Sequence, residues 1–291
     1  MRRSSVLLIA NPTAGSFTSR KIDKARDIFR QAGMQLDTYL TQKAGDAEHR
    51  AREAVNGGYA MVIAGGGDGT VNEVVNGLAF SSLPMSILPM GITNVLAREV
   101  GIPQGAKGAA MAIVNGRQHR VSLGRLDQSG TSRYFILMAG IGFDGRVVHE
   151  TGDTAKSLLG AASFVLRGIE CLLNLKAPKL VVDADGKRYT GYTVIVCNAS
   201  KYGGDFRIAP EADITVPTLW VRVFGGPGRV SILKNTLALV TGFHGLLFDG
   251  DYFACKRLTI EGRAYVQVDG DARGESPVEI TVQPEALSLI Y

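Results

Sequence analysis

Four glycines within five positions, Gly65, Gly66, Gly67 and Gly69, enclose a single carboxylate, Asp68, in the stretch VIAGGGDGTVNEVVNGL at residues 62–78. An apolar run precedes them and an amphipathic run follows, so the glycines join a strand to the first turn of a helix. Such a junction is a backbone anion site, because amide N–H groups and the positive end of the helix dipole both address a phosphate. Glycine suits it, since a side chain would hold the phosphate away and some positions can then adopt positive φ. The Asp68 carboxylate repels a phosphate unless a cation intervenes or its role is structural. A nucleotide arriving with Mg2+ meets the first condition. A glycine-rich turn without a ligand is the alternative.

Two better-known glycine motifs are excluded. A Walker loop requires GxxxxGK[ST], and its nearest counterpart, GSFTSRK, has Arg20 where the second glycine belongs. The dinucleotide pattern GxGxxG fails because Gly65 and Gly67 are followed by Thr70 at the third position.

The elements that must carry this loop follow from periodicity. SVLLIANPTAG reads as a buried strand ending in a turn, and TSRKIDKARDIFRQAG as a helix with Ile22, Ala25, Ile28, Phe29 and Ala32 on one face, closed by Gly33. LDTYLTQ is a short strand and GDAEHRAREAVNGG a helix. The strand YAMVIAG, the helix TVNEVVNGL, the strand MSILPMG and the helix TNVLAREVG come next. Strand and helix alternate through residue 113, which predicts a parallel sheet with flanking helices.

From about residue 120 the pattern turns to strands: HRVSLGRLD, RYFILMAGIGF, PKLVVDAD, KRYTGYTVIVCNAS, TLWVRVF, YFACKRLTIEG, YVQVDGD and VEITVQP. Apolar helical segments interrupt them at 155–175 and around 230–246. This half is expected to be a β-sandwich, with the boundary at 115–125 and a ligand cleft between the halves. The 155–175 segment reads as a core or inter-domain helix, or else as a wall of a lipid pocket or an interfacial anchor.

Composition is consistent with this. The 291 residues, 45% hydrophobic and 20% charged, can build a sizeable core and exclude bulk disorder. A net charge of +5 favours anionic partners such as nucleotide phosphates, an acidic membrane surface or nucleic acid, yet no run of five basic residues occurs, so a merely solvated surface is the equal alternative. Of these partners nucleotide and membrane lipid are expected and nucleic acid is not. Cys171, Cys197 and Cys255 show no metal spacing and suit a reducing, cytoplasmic setting. No stretch approaches the ~18 apolar residues of a membrane span, so any membrane association is expected to be transient and peripheral.

GGGDGTVNEVVNGL closely resembles the GGDGTxNEV signature of the diacylglycerol kinase catalytic-domain family, which includes bacterial lipid kinases and sphingosine kinases. The resemblance continues in NPTAG, TQKAGDA, ILPMGITNVLAR, AGIGFDG, CNASKYGGDFRIAP and VQVDGD, in the family's order and over nearly the whole chain. It implies an NAD kinase-like α/β domain (residues 1–120, with 283–291 returning to it) and a β-rich lipid-substrate domain at 121–282. It further implies phosphoryl transfer from ATP, with Mg2+, to a lipid hydroxyl such as that of diacylglycerol. An NAD kinase and a catalytically weak nucleotide- or lipid-binding sensor are the alternatives, and a homodimer stays open.

The resemblance assigns Gly66, Gly67, Gly69 and Thr70 to the phosphates, and Asn11, Thr41, Asn72 and Thr93 to the rest of the nucleotide. Asp68 would position Mg2+ or anchor the loop; Glu73 would cap amides or touch ligand. The family's base is usually the glutamate of a DGE, here Asp271 of VDGD, with Asp269 as the alternative base or its orienting partner. Asp-Gly between strands is also a hairpin signal, so the turn would present the acid. The chain departs from the family in two places. An acidic DDG that helps relatives hold a structural Mg2+ is replaced by Thr215, Val216 and Pro217, leaving Asp213. GTxND has become GITNV, with Val95 at the lost aspartate. Which residues hold a metal is therefore unknown from the sequence.

Overall fold

A computed structural model describes residues 5–150, 178–228, 230–231, 234–235 and 249–291. The helix expected at 155–175 and most of that at 230–246 lie outside the described residues. Contacts divide the chain into two units, one reaching Ser122 and resuming at Pro284–Tyr291, the other spanning Leu123–Gln283.

The first unit contains β1 (Ser5–Ala10), α1 (Ser19–Gln31), β2 (Gln35–Leu40), α2 (Asp46–Ala54), β3 (Met61–Gly66), α3 (Asp68–Leu78), β4 (Met85–Pro89), α4 (Val95–Glu99) and α5 (Ala106–Asn115). The strands pair in the order β2-β1-β3-β4, all parallel, and Leu289 of the C-terminal strand adds beside Met85 of β4. β3 is buried at every position and β1 at all but its first, as central strands covered on both faces must be. β2, at the edge, alternates. Thr18 caps α1 by accepting from the Lys21 amide, and Gly33 closes the turn after it at φ +76°. The connection from β1 runs to β2 on one side, whereas that from β2 returns to β3 on the other. The direction of winding therefore reverses between β1 and β3, the place where open α/β sheets open a crevice at their carboxyl ends.

The second unit is an antiparallel sandwich. Its elements are β5 (Gln118–Gln128), β6 (Thr131–Phe135), β7 (Met138–Ile141), β8 (Leu180–Ala184), β9 (Lys187–Gly191), β10 (Thr193–Cys197), β11 (Lys201–Tyr202), β12 (Phe206–Arg207), β13 (Leu219–Phe224), β14 (Asp251–Cys255), β15 (Arg257–Glu261), β16 (Tyr265–Val268), β17 (Asp271–Glu275) and β18 (Val278–Ile290), with β5 up to Ser122 and β18 from Pro284 belonging to the first unit. One sheet holds β18-β15-β8-β9 with β5 and β6; the other runs β14-β13-β10-β7-β16-β17. A common core takes Phe135, Leu180, Val182, Leu258 and Ile260 from the first, and Ile141, Val194, Val221 and Val266 from the second.

Three runs that read as single strands are each two. RYFILMAGIGF splits into β6 and β7, KRYTGYTVIVCNAS into β9 and β10, and YFACKRLTIEG into β14 and β15, with the halves on opposite sheets. Apolar alternation continues through each break, because both halves face the same core from opposite sides.

Candidate active site

The carboxyl ends of the first unit's strands bring the expected nucleotide residues to one edge. Asn11 follows β1; its amide donates to Gly65 O at 2.8 Å, across the β1/β3 reversal. Its side-chain Oδ1 accepts from the Thr13 amide at 2.9 Å and the Thr13 hydroxyl at 2.8 Å, shaping the NPTAG turn. Thr41 follows β2, its amide donating to Ala10 O at 2.9 Å. Gly66 ends β3, and its carbonyl accepts from the amides of Met90 at 2.9 Å and Gly91 at 3.1 Å, beyond β4.

The glycine loop owes its bareness to packing. None of Gly65, Gly66, Gly67 and Gly69 has a positive φ. A Cβ on Gly66 would instead collide with Thr70 Oγ1, and one on Gly91 would stand 2.5 Å from Gly67 Cα. The loop and the 90–94 turn touch backbone to backbone, and α3 starts at Asp68 directly behind them, with Gly67 as its N-cap. First-turn amides of a helix have no intrahelical acceptor, so this N-terminus presents donors and a positive dipole end.

Asp68 is tied into the protein on both oxygens. Oδ2 accepts from the Thr93 hydroxyl at 2.9 Å and Oδ1 from the Val95 amide at 2.7 Å. Burial pushes its carboxyl above the usual carboxylate range, and these bonds pull it back. The side chain thus anchors the glycine loop to the start of α4, where Asn94 sits at φ 49°. At Val95 it is the backbone N–H that serves the site. Asn72 is fully buried on α3, and its Oδ1 accepts from Asn76 Nδ2 at 3.2 Å.

Glu73, left open between cap and ligand by its spacing, caps a different helix. Its Oε1 accepts from the Gly45 amide at 2.9 Å and its Oε2 from the Ala47 amide at 3.0 Å, at the N-terminus of α2. It thereby holds the TQKAGDA segment that follows Thr41. Gly45, at φ +82°, makes no side-chain cap of its own. Glu73→Ala is expected to cost about 1–2 kcal/mol, the scale of a lost helix cap, read as a lower urea midpoint. An unchanged midpoint would remove the capping role.

Lys21 was not singled out by the sequence. Its ammonium donates to Ser16 Oγ at 2.8 Å, and the Ser16 amide donates to Met90 O at 2.8 Å, which places a cation where the NPTAG turn meets the turn after β4. Burial lowers its affinity for the proton. The available signal was a lysine in the first turn of the helix after NPTAG.

In the second unit the two aspartates of VDGD have different surroundings. Asp269 is buried and at φ 48°, and its carboxylate accepts from three consecutive amides, those of Ile136 at 3.0 Å, Leu137 at 3.0 Å and Met138 at 2.9 Å. These are the residues at the break between β6 and β7, so Asp269 binds the chain where it leaves one sheet for the other. Asp271 opens β17 half-exposed, with Arg273 Nη2 at 3.7 Å from Oδ2. Asp213 bonds the amide and hydroxyl of Thr215, at 2.8 and 2.7 Å.

Among the described residues no three His, Cys, Asp or Glu side chains converge as a metal site. The oxygens of Asp68 and Asp269 face N–H and O–H donors. Among the described residues no set of side chains fits a divalent ion held by the protein alone. An ion carried in on nucleotide phosphates would keep phosphate and water ligands.

Known proteins match the chain along its length. The family model described as diacylglycerol kinase catalytic domain matches residues 5–126, and that described as YegS C-terminal NAD kinase beta sandwich-like domain matches residues 138–291. A diacylglycerol kinase of Bacillus subtilis (strain 168) is 34% identical over 220 residues, covering 74% of this chain and 71% of its own. One from Staphylococcus aureus (strain NCTC 8325 / PS 47) is 34% identical over 217 residues, covering 73% and 68%. A crystal structure of a diacylglycerol kinase from Bacillus anthracis str. Sterne superposes with a TM-score of 0.79 at 25% identity, covering 100% of this chain and 98% of its own. A second structure from that organism, with a TM-score of 0.84 at 24% identity over 100% and 96% of the two chains, shows the same fold.

Proposed function

The chain belongs to the diacylglycerol kinase family and is a lipid kinase, and on that premise we propose that it transfers the γ-phosphoryl group of ATP to the free hydroxyl of diacylglycerol. The observation that carries the nucleotide half is the meeting of Asn11, Thr41, Gly66, Gly67 and Thr93 at the carboxyl edge of one parallel sheet, across its reversal point. The names of the curated relatives support diacylglycerol as the acceptor.

Phosphoryl transfer asks for position and charge neutralisation more than for covalent chemistry. The amides of Gly67, Gly69 and Thr70 receive the phosphates, aided by the α3 dipole. Asn11, Thr41 and Thr93 surround the rest of the nucleotide, while Asp68 ties the glycine loop to residues 93–95 and Glu73 holds the segment that follows Thr41. The lipid hydroxyl oxygen attacks the γ phosphorus, the bond from that phosphorus to the β–γ bridging oxygen breaks with its electron pair left on the oxygen, which departs as part of ADP, and the hydroxyl proton passes to Asp271. Among the described residues no helix is long and apolar enough to cross a membrane, and the enzyme would take its substrate from a membrane surface by peripheral contact.

Incubation of the protein with γ-labelled ATP, Mg2+ and vesicles containing diacylglycerol, a sphingoid base and ceramide tests the reading, with free NAD present. Label in phosphatidic acid is the expected result. Label in another lipid would move the acceptor only; label in NAD alone, or none, would overturn the assignment.

A further inference from the structure

A buried polar chain in the second unit ends on the VDGD turn. Asp144, at the start of the helix over residues 143–150, is 8% exposed, and Gln267 on β16 is 3% exposed. Asp144 Oδ1 accepts from the Tyr202 hydroxyl, and Asp144 Oδ2 accepts from Gln267 Nε2 at 2.7 Å. Gln267 Oε1 then accepts from the Gly270 amide at 2.8 Å. Gly140 of β7 lies directly opposite Gln267 in the ladder, and a Cβ there would strike Asp144 Oδ2. The glycine leaves the space through which Asp144 reaches the amide. Three stretches far apart in sequence (AGIGFDG, CNASKYGGDF and VQVDGD) are thus joined by hydrogen bonds.

We propose that Asp144, acting through Gln267, is a positioning residue that sets the VDGD turn and so the place of Asp271. A carboxylate offers acceptors alone, whereas a glutamine amide has a donor end and an acceptor end. Facing Asp144, the amide must turn its NH2 toward the carboxylate, which leaves Oε1 for the Gly270 N–H. Were the amide reversed, its NH2 would confront that N–H, donor against donor. The turn needs such a hold: Asp269 and Gly270 lie at φ 48° and 87°, the left-handed pair of a tight hairpin that a non-glycine residue enters at a cost. Asp269 is fastened from the other side by the three amides at 136–138. Asp271 is the next residue out of the turn, and it pairs with Val268. Burial raises the Asp144 carboxyl, while the bonds from Tyr202 and Gln267 oppose that rise.

This inference rests on Asp271 as proton acceptor, and a double-mutant cycle separates the two. Gln267→Met keeps the length of the side chain without its amide. It is expected to lower kcat ~10–100-fold, the scale of a misplaced reacting group, with KM for ATP and diacylglycerol within twofold. Combined with Asp271→Asn it should cause no further loss, because it acts through that residue. Asp144→Asn, nearly isosteric, should give a smaller loss and shift the Gly270 amide resonance in the 15N–1H spectrum, a readout that stays available if Gln267→Met fails to fold. An unchanged kcat in Gln267→Met, an undiminished loss in the Asp271→Asn background, or an unmoved Gly270 resonance in Asp144→Asn would each overturn the positioning role alone. Wild-type turnover in Asp271→Asn by itself would instead remove the acceptor reading, and this proposal with it.

Discussion

Asp271→Asn is expected to reduce kcat by ~10²–10⁴-fold, the contribution of a positioned proton acceptor, while ATP binds within about twofold of wild type. The physical ground is the contrast between two aspartates one residue apart. Asp269 has its carboxylate turned onto three backbone amides and is 5% exposed, so it has little freedom to take a proton from a lipid. Asp271 stands half-exposed at the start of β17, with the Arg273 guanidinium at 3.7 Å. Asparagine preserves size and polarity but accepts no proton at neutral pH. Stopped assays on diacylglycerol vesicles read kcat, and titration calorimetry reads ATP binding. The same change at Asp269 should act on stability: an amide NH2 facing backbone N–H groups leaves buried donors unpaired, at about 1–3 kcal/mol each. Turnover of Asp271→Asn within tenfold of wild type would exclude it as the acceptor.

Gly91→Ala is expected to weaken ATP binding ~10–100-fold with the fold retained. Its Cβ would stand 2.5 Å from Gly67 Cα and 2.7 Å from Asn94 Oδ1, and backbone cannot swing aside as a flexible side chain can. Overpacking of this kind typically costs 1–3 kcal/mol. Here the strain falls on the contact between the glycine loop and the 90–94 turn. The Gly91 amide bonds Gly66 O and Asn94 Oδ1, so parting the turns also loosens the placement of Thr93 and Asp68. Gly105→Ala is the control, since nothing lies within 4 Å of a Cβ there. Calorimetry with ATP distinguishes the two variants. Equal affinities would mean that the loop contact does not shape the nucleotide site.

The parts of the site legible in the sequence were those made of one continuous segment. The glycine loop, its strand and its helix are neighbours in the chain, so spacing alone exposed them. One reason for the glycines was not legible: Gly66 packs on Thr70 and Gly67 on Gly91, whereas the positive φ expected at some positions occurs at none of the four. Glu73 could not be resolved between cap and ligand because its partners, Gly45 and Ala47, lie 28 and 26 residues away. Asp144 and Gln267 carried no local sign of their bond, since 123 residues separate them.

By itself the sequence determined the two fold classes, the alternation of strand and helix through the first unit, and a glycine loop at a helix N-terminus. It did so because a residue's side of a strand or helix is written in periods of two and 3.6. Tertiary structure alone decided where long apolar runs are cut and which sheet receives each half. Period two records that a side chain faces a core, and in a sandwich both sheets face the same one. At residues 136–138 the cut is held by Asp269, more than 130 residues later in the chain. That one carboxylate holds the chain between two sheets and begins the turn that presents Asp271.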